Sequence, residues 1–147
     1  MIAIASDHGG YNLKKEIMQH LDKTGAKYKD FGSYDGEACD YAIVAKKACD
    51  AVVSGECDKA LLFCGTGIGI SIAANKVKGI RAACCSDIFS AKYTRLHNDA
   101  NALCLGGRVV GAGLAIELVD VFLNTGFEGG RHQRRIDQIA DIENNKL

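Results

Sequence analysis

Short apolar runs recur along the chain, and each is followed by a segment whose apolar residues have helical spacing. This spacing is clearest after the first run, where Leu13, Ile17 and Leu21 repeat at intervals of four and the pattern stops near Gly25. The apolar runs predict five strands, at Ile2–Ser6, roughly Lys27–Phe31, Ala60–Phe63, Ile80–Cys85 and Ala102–Leu105.

The segments between and after these strands predict helices. Ser86-Asp87 is a capping signal for one of them, which is expected to run through Arg95. His97-Asn98-Asp99 is then expected to form the loop that returns to the last strand. The other helices are expected around Tyr41 to Val52, from Ile70 to Asn75, from Leu114 to Leu123, and in the charged tail between Gly129 and Leu147.

Strands that alternate with helices predict an α/β fold, here one doubly wound domain over residues 1–147 with a five-stranded parallel sheet and helices on both faces. No internal repeat, proline or low-complexity linker marks a boundary within it. In such sheets ligands bind beyond the carboxyl ends of the strands, at a topological switch point. Polar turns follow the first, third and fifth strands and are expected to converge on one crevice, at Asp7-His8, Cys64-Gly65-Thr66 and Gly107-Arg108.

The stretch from Lys59 to Lys76 joins a buried strand to a helix through a glycine-rich turn. Cys64 ends the strand, and Gly65, Gly67 and Gly69 follow at alternate positions. Such a turn gathers backbone N–H groups at a helix N-terminus, where an anion or a developing oxyanion is best held. The local pattern fits a functional cysteine at the lip of a site, and it equally fits a small buried residue beside glycines that let the helix pack closely.

The glycine turn does not match the nucleotide-binding motifs. Its spacing differs from the dinucleotide fingerprint, it follows the third strand rather than the first, and no Gly-Lys-Ser/Thr sequence ends it. NAD and ATP are therefore not expected as ligands. A small anionic or carbonyl ligand that faces backbone donors fits the turn better.

Composition narrows the possible partners and the compartment. Lys plus Arg number 18 and Asp plus Glu number 18, so no bulk charge attracts the chain to nucleic acid or to an acidic membrane surface. Seven cysteines without a CxxC pair fit neither a disulfide framework nor a zinc site. We therefore expect free thiols, no metal, and a soluble protein of the cytoplasm, since no apolar run is long enough to span a bilayer.

Two further groups of polar residues each allow a functional and a structural interpretation. Asp7-His8 fits an acid/base or ligand-orienting pair, and it also fits a helix cap with an exposed histidine beside it. Arg131 and Arg135 are four residues apart and so share one helical face, as in a bidentate phosphate clamp or a solvated basic turn.

Four segments together resemble the type B ribose-5-phosphate isomerases, a family that also includes galactose-6-phosphate and allose-6-phosphate isomerases. They are ASDHGG, FCGTGIGISIAANK, HNDANALCLGGR and GGRHQRR, and they match in order over essentially the whole chain. The resemblance implies a Rossmann-like fold and an aldose-ketose isomerase without metal or cofactor. It also implies a homodimer or a dimer of dimers, with the last helix toward a partner subunit and sites shared between subunits.

The resemblance also implies roles for individual residues. Cys64 becomes the base that moves a proton between C1 and C2, and His97 assists opening of the sugar ring together with Thr66. Some family members use a glutamate one turn later, but Gly69-Ile70 supplies no carboxylate there. The implied substrate-binding residues are Asp7, His8, Tyr41 and Asn98 for the sugar, backbone amides of Gly65, Gly67, Ile68 and Gly69 for the oxyanion, and His8, Arg108, Arg131 and Arg135 for the phosphate.

We therefore expect an enzyme that interconverts D-ribose 5-phosphate and D-ribulose 5-phosphate through a cis-enediolate. A six-carbon substrate such as allose or galactose 6-phosphate is the alternative within the same chemistry. A sugar-phosphate-binding module without turnover is the alternative from another class, although binding alone needs no base at Cys64. Of the other cysteines, Cys84 and Cys104 fall in apolar strands and are expected to be inert.

Overall fold

The computed structural model describes residues 1–147, in which five strands and six helices follow one another in the predicted order. The strands are β1 Ile2–Ser6, β2 Tyr28–Asp30, β3 Lys59–Cys64, β4 Ala82–Cys84 and β5 Ala102–Gly106. The helices are α1 Tyr11–Thr24, α2 Tyr41–Val53, α3 Ile68–Ala74, α4 Ile88–Asn98, α5 Ala112–Asn124 and α6 Arg131–Glu143. None of these helices combines the length and the apolar character that crossing a bilayer requires.

All neighbouring strands pair in parallel, in the order β2-β1-β3-β5-β4. The predicted α/β fold with a five-stranded parallel sheet is therefore confirmed. From β1 the chain crosses to β2 on one side, and from β3 it crosses to β4 on the other side. The switch point of the sheet consequently lies between the carboxyl ends of β1 and β3, which is where a ligand crevice forms in such folds.

Alternating side chains of the central strands bury two separate apolar layers. Ile4, Leu61 and Phe63 point to the layer formed with α1, α4 and α5. Ala3 and Leu62 point to the other layer, which α2 and α3 cover. Burial on both faces explains why these strands read as continuous apolar runs in the sequence.

Helix α4 is longer than predicted, so His97 and Asn98 form its last turn and do not lie in a loop. The helix ends at Asp99, whose φ of 44° is left-handed, and Arg95 Nη1 donates to Asp99 Oδ1 over 2.8 Å. This local contact favours one further turn although His and Asn are weak helix formers. At the other end the predicted cap is confirmed, because Asp87 accepts a hydrogen bond from the Ser90 amide at 2.7 Å.

Two other boundaries also differ from the predictions. Helix α3 begins at Ile68 rather than Ile70, directly after Gly67. Strand β4 covers only Ala82–Cys84 instead of Ile80–Cys85. The strand starts late because the Arg81 amide donates to the Asn101 side chain at 2.8 Å instead of joining the ladder.

Lys14 is the least expected member of the interior. It lies on α1 with 1% of its surface exposed, and its Nζ donates to Asp30 Oδ1 at 2.8 Å and Oδ2 at 2.9 Å. The same nitrogen also donates to the backbone carbonyl of Ser33. A buried ammonium is tolerated because these acceptors replace its water, and the contacts tie the loop after β2 to α1.

Candidate active site

The turns that follow β1, β3 and β5 are in direct contact at the carboxyl edge of the sheet. A Cβ added to Gly9 would lie 2.9 Å from the Gly65 nitrogen, and one added to Gly107 would lie 2.7 Å from the Gly9 oxygen. The Gly107 amide also donates to the Cys64 carbonyl at 2.8 Å. The predicted convergence of three polar turns on one place is therefore confirmed, and the place is the switch point of the sheet.

Cys64 ends β3 with a sulfur that is almost completely covered, since the residue is 4% exposed. The Gly67 N–H donates to its Sγ at 3.1 Å. This contact is possible because Gly67 has a φ of 79°, a left-handed conformation that turns the chain back over the cysteine before α3 begins. The turn therefore aims a backbone donor at the sulfur, at the carboxyl end of β3.

The other predicted residues of the glycine turn surround this cysteine. Thr66 is exposed, and its Oγ1 accepts a hydrogen bond from the Ile68 amide at 3.2 Å. The Tyr41 ring, at the start of α2, lies over Gly69, because a Cβ there would meet the ring at 2.9 Å. The Arg108 side chain lies over Gly65, because a Cβ added to Gly65 would be 3.1 Å from Arg108 Nη1.

Asp7 and His8 stand on the neighbouring turn after β1. The Asp7 carboxylate is 7% exposed and accepts a hydrogen bond from the Gly10 amide at 3.1 Å. This hydrogen bond holds the turn that leads into α1, but the N-cap of α1 is Gly10 and not Asp7. His8 is exposed beside Asp7. Together these residues form what we call the glycine-loop half-site: Asp7, His8, Tyr41, Cys64 to Gly69, and Arg108.

The remaining cysteines differ from Cys64 in their surroundings. Burial raises the pKa of Cys49 to about 12 and that of Cys85 to about 11, and it raises the pKa of Cys104 well above its ordinary value. Cys84 and Cys104 both lie in strands as predicted, but β4 is an edge strand and Cys84 is exposed. Its Sγ approaches the Thr66 carbonyl at 3.8 Å, beneath the glycine turn.

The other predicted residues lie together elsewhere on the subunit. His97, Asn98 and Arg135 line one groove of about 460 Å³ between α4 and α6. Arg131 precedes Arg135 by one helical turn, and both are exposed. Neither guanidinium takes part in an ion pair of the subunit. We call this set the α4–α6 half-site: His97, Asn98, Arg131 and Arg135.

The two half-sites are separated by the length of the sheet. Cys64 pairs with Gly106 at the carboxyl end of β5, whereas Asn98 ends the helix that leads into the amino end of β5. Five residues of strand place these ends about 13 Å apart at roughly 3.3 Å per residue. His97 and Cys64 therefore lie near opposite ends of β5.

Sequence reasoning assigned no role to Glu128 and His132, which contact His97. Glu128 Oε2 lies 3.8 Å from His97 Nε2 and 3.5 Å from His132 Nε2. Three such groups suggest a metal site, but the two imidazoles stack at 4.0 Å with an interplanar angle of 13°. Their in-plane lone pairs run nearly parallel and cannot converge on one ion in this arrangement.

The chain is similar in sequence to known sugar phosphate isomerases. The family model described as Ribose/Galactose Isomerase matches residues 2–139. A putative sugar phosphate isomerase of Bacillus subtilis is 52% identical over 99% of both chains. Ribose-5-phosphate isomerase B of Escherichia coli is 49% identical over 97% of this chain and 95% of its own length.

A solved structure extends the similarity from sequence to fold. Ribose-5-phosphate isomerase B of Clostridium thermocellum superimposes with a TM-score of 0.97 at 53% identity, covering 99% of each chain. The family model spans nearly all residues of this chain, and the relatives are matched over nearly their full lengths. The chain therefore belongs to the ribose/galactose isomerase family.

Proposed function

We propose that this protein is an aldose-ketose isomerase that interconverts D-ribose 5-phosphate and D-ribulose 5-phosphate, with Cys64 as the base. The observation that carries the proposal is the Gly67 amide that donates to the Cys64 sulfur at the switch point of the sheet. Similarity to proteins named ribose-5-phosphate isomerase B supports the choice of substrate.

The reaction requires a proton to move between adjacent carbons of the open-chain sugar. The Cys64 thiolate takes the proton from C2, the released electron pair forms the C1–C2 double bond, and the C1 carbonyl oxygen becomes the oxyanion of a cis-enediolate. A proton passes from O2 to O1, and the Cys64 thiol returns its proton to C1 as C2 becomes the carbonyl. Backbone amides from Gly65 to Gly69 are the proposed donors to the oxyanion.

The sugar ring must open before this step, and we assign that step to His97 with Thr66. Asp7, His8, Tyr41 and Asn98 are proposed to hold the sugar. Because His97 and Cys64 lie at opposite ends of β5, we propose that two subunits face each other so that the glycine-loop half-site of one receives the α4–α6 half-site of its partner. The assembly is a homodimer or a dimer of dimers, in which α6 points toward the partner subunit.

Two features of the single subunit support a shared site. None of its four cavities includes Cys64, so the predicted base lacks an enclosing wall within its own chain. Large apolar side chains are also exposed at the carboxyl edge: Ile68 is 55%, Val109 58% and Phe89 68% exposed. Exposed apolar groups beside an open site are typical of a surface that another subunit covers.

The proposed phosphate site combines side chains from both half-sites. Arg131 and Arg135 on one face of α6 supply two guanidiniums without carboxylate partners, and the first turn of α6 adds backbone donors. Arg108 and His8 complete the site from the glycine-loop side. Binding energy from this remote group orients the reacting carbons and so contributes to turnover as well as to affinity.

A six-carbon sugar phosphate is the second candidate substrate, because the matching family model also covers galactose isomerases. Relative kcat/KM on ribose 5-phosphate, allose 6-phosphate and galactose 6-phosphate decides between them. We expect the highest value for the pentose; a higher value for either hexose would reassign the substrate. Absence of turnover on all three would favour a binding module.

The reaction belongs to pentose phosphate metabolism, and we propose a cytoplasmic location for it. A reducing compartment suits a catalytic thiol because it keeps Cys64 from oxidation.

A further inference from the structure

Four aromatic rings form a row that begins on α4 and ends on α6. Phe89 and Tyr93 stack with centroids 4.2 Å apart, and Tyr93 meets the edge of His97 at 4.9 Å. The last ring is His132, which stacks on His97 at 4.0 Å and 13°. The imidazole of His97 is therefore held between an edge contact and a face contact.

The two stacked histidines differ in the exposed fraction of their side chains. The His132 side chain is 5% exposed, whereas that of His97 is 34% exposed. Glu128 is anchored beside them because its amide donates to the Leu96 carbonyl at 3.0 Å. The His97 ring therefore rests against the buried His132 ring, with Glu128 beside both.

Charged groups surround the stacked pair. Two stacked imidazolium ions would repel each other. Burial lowers the pKa of His132, neighbouring His97 and Arg131 lower it further, and Glu128 opposes them. The groups that face the pair are Glu128, Arg131 and Arg135 from the segment before α6 and from α6, and Tyr93 from α4.

We propose that His132, together with Glu128, is a positioning residue for His97: the two residues fix the orientation of the His97 ring. This inference rests on the proposed function, in which His97 opens the sugar ring. It extends that function by assigning a task to two residues that do not touch the reacting carbons.

The chemistry of the two sugars separates this task from the proton transfer at carbon. Opening of the aldose ring breaks the bond between C1 and the ring oxygen, so the ring oxygen gains a proton and O1 loses one as the carbonyl forms. Ribulose 5-phosphate cannot form a five-membered ring, because its O5 is esterified to phosphate. Exchange of its C1 proton therefore needs Cys64 but not ring opening.

The test compares two rates in the intact protein. The first is turnover of ribose 5-phosphate, and the second is exchange of the ribulose 5-phosphate C1 proton in deuterated solvent, followed by NMR. His132→Ala is expected to lower turnover of the aldose by about 2- to 12-fold, the contribution of one aromatic stacking contact, while ketose exchange stays within about twofold. His132→Phe keeps a stacking ring and is expected to recover most of the aldose turnover.

Two further variants separate positioning from stability. Glu128 is half-exposed, so Glu128→Gln should fold normally. This variant should lower aldose turnover while ketose exchange stays within about twofold. His20→Ala is the matched control, because His20 pairs with Asp120 at 2.7 Å between α1 and α5, and it should change neither rate.

Three outcomes would overturn the inference. They are an equal loss of both rates in His132→Ala, unchanged aldose turnover in that variant, or an equal loss of both rates in Glu128→Gln. A wild-type protein without either activity would instead refute the proposed function itself, so the two failures are distinguishable.

Discussion

Replacement of Arg131 or Arg135 by alanine is expected to lower kcat/KM for ribose 5-phosphate about tenfold each. A charge-assisted hydrogen bond contributes about 1.5–3 kcal/mol, and the lower limit applies because both guanidiniums are exposed to water in the free subunit. About 1.4 kcal/mol corresponds to a factor of ten. Neither side chain has a carboxylate partner, so its removal leaves no unpaired charge that would add to the loss.

The assay is steady-state kinetics of each variant, with urea unfolding as a check on stability. KM should rise, and kcat should also fall, because binding energy from the phosphate orients the reacting carbons. Gln133→Ala is the control: this exposed residue lies on α6 between the other two and, two positions from each, points to the opposite face of the helix. Equal effects in all three variants, or unchanged kinetics in Arg131→Ala and Arg135→Ala, would refute the phosphate clamp and leave a solvated basic turn.

Three further predictions test the loop, the assembly and the buried thiols. Gly67→Ala should lower the free energy of unfolding, measured by urea titration, by about 1–3 kcal/mol. The φ of Gly67 is 79°, and the new Cβ would lie 2.9 Å from the Leu105 carbonyl carbon. An unchanged urea midpoint would show that the loop adapts. Mixing inactive Cys64→Ala and His97→Ala proteins under subunit exchange should restore part of the activity, and no recovery despite proven exchange would exclude shared sites. The pKa of Cys49 is raised to about 12 in the folded protein, so folding opposes ionisation of this thiol. The free energy of unfolding should therefore fall as pH rises above about 9, by up to about 1.4 kcal/mol per pH unit for this thiol. Cys49→Ala should flatten this pH dependence, and an identical slope in the variant would contradict the argument.

The sequence was sufficient for the features that depend on local pattern. Apolar runs followed by polar turns predicted the order of the strands and the meeting of three turns at the switch point. Asp87 was recognised as a cap because its side chain acts on an amide three residues away. The glycine turn was recognised because the need for glycine at position 67 comes from the backbone of the same loop.

Features that depend on distant partners were missed. Lys14 reads as a surface residue of α1, and only the fold brings Asp30 to its ammonium. Cys84 reads as part of an apolar strand, but β4 lies at the sheet edge and leaves this residue exposed. His132 meets His97 across 35 positions of the chain, so no local spacing indicates their stack.

The assignment of Cys64 as the base is tested most directly by exchange of the substrate's C2 proton. Ribose 5-phosphate is incubated with enzyme in deuterated solvent, and loss of the C2 proton signal is followed by NMR. Wild-type protein should exchange this proton, whereas Cys64→Ala should fold and bind sugar phosphate yet lose most of the exchange. Cys64→Ser should not restore it, because a hydroxyl is too weakly acidic to supply the base. Exchange at the wild-type rate in Cys64→Ala would contradict the account and would point to another group, with Asp7 the nearest carboxylate on the neighbouring turn.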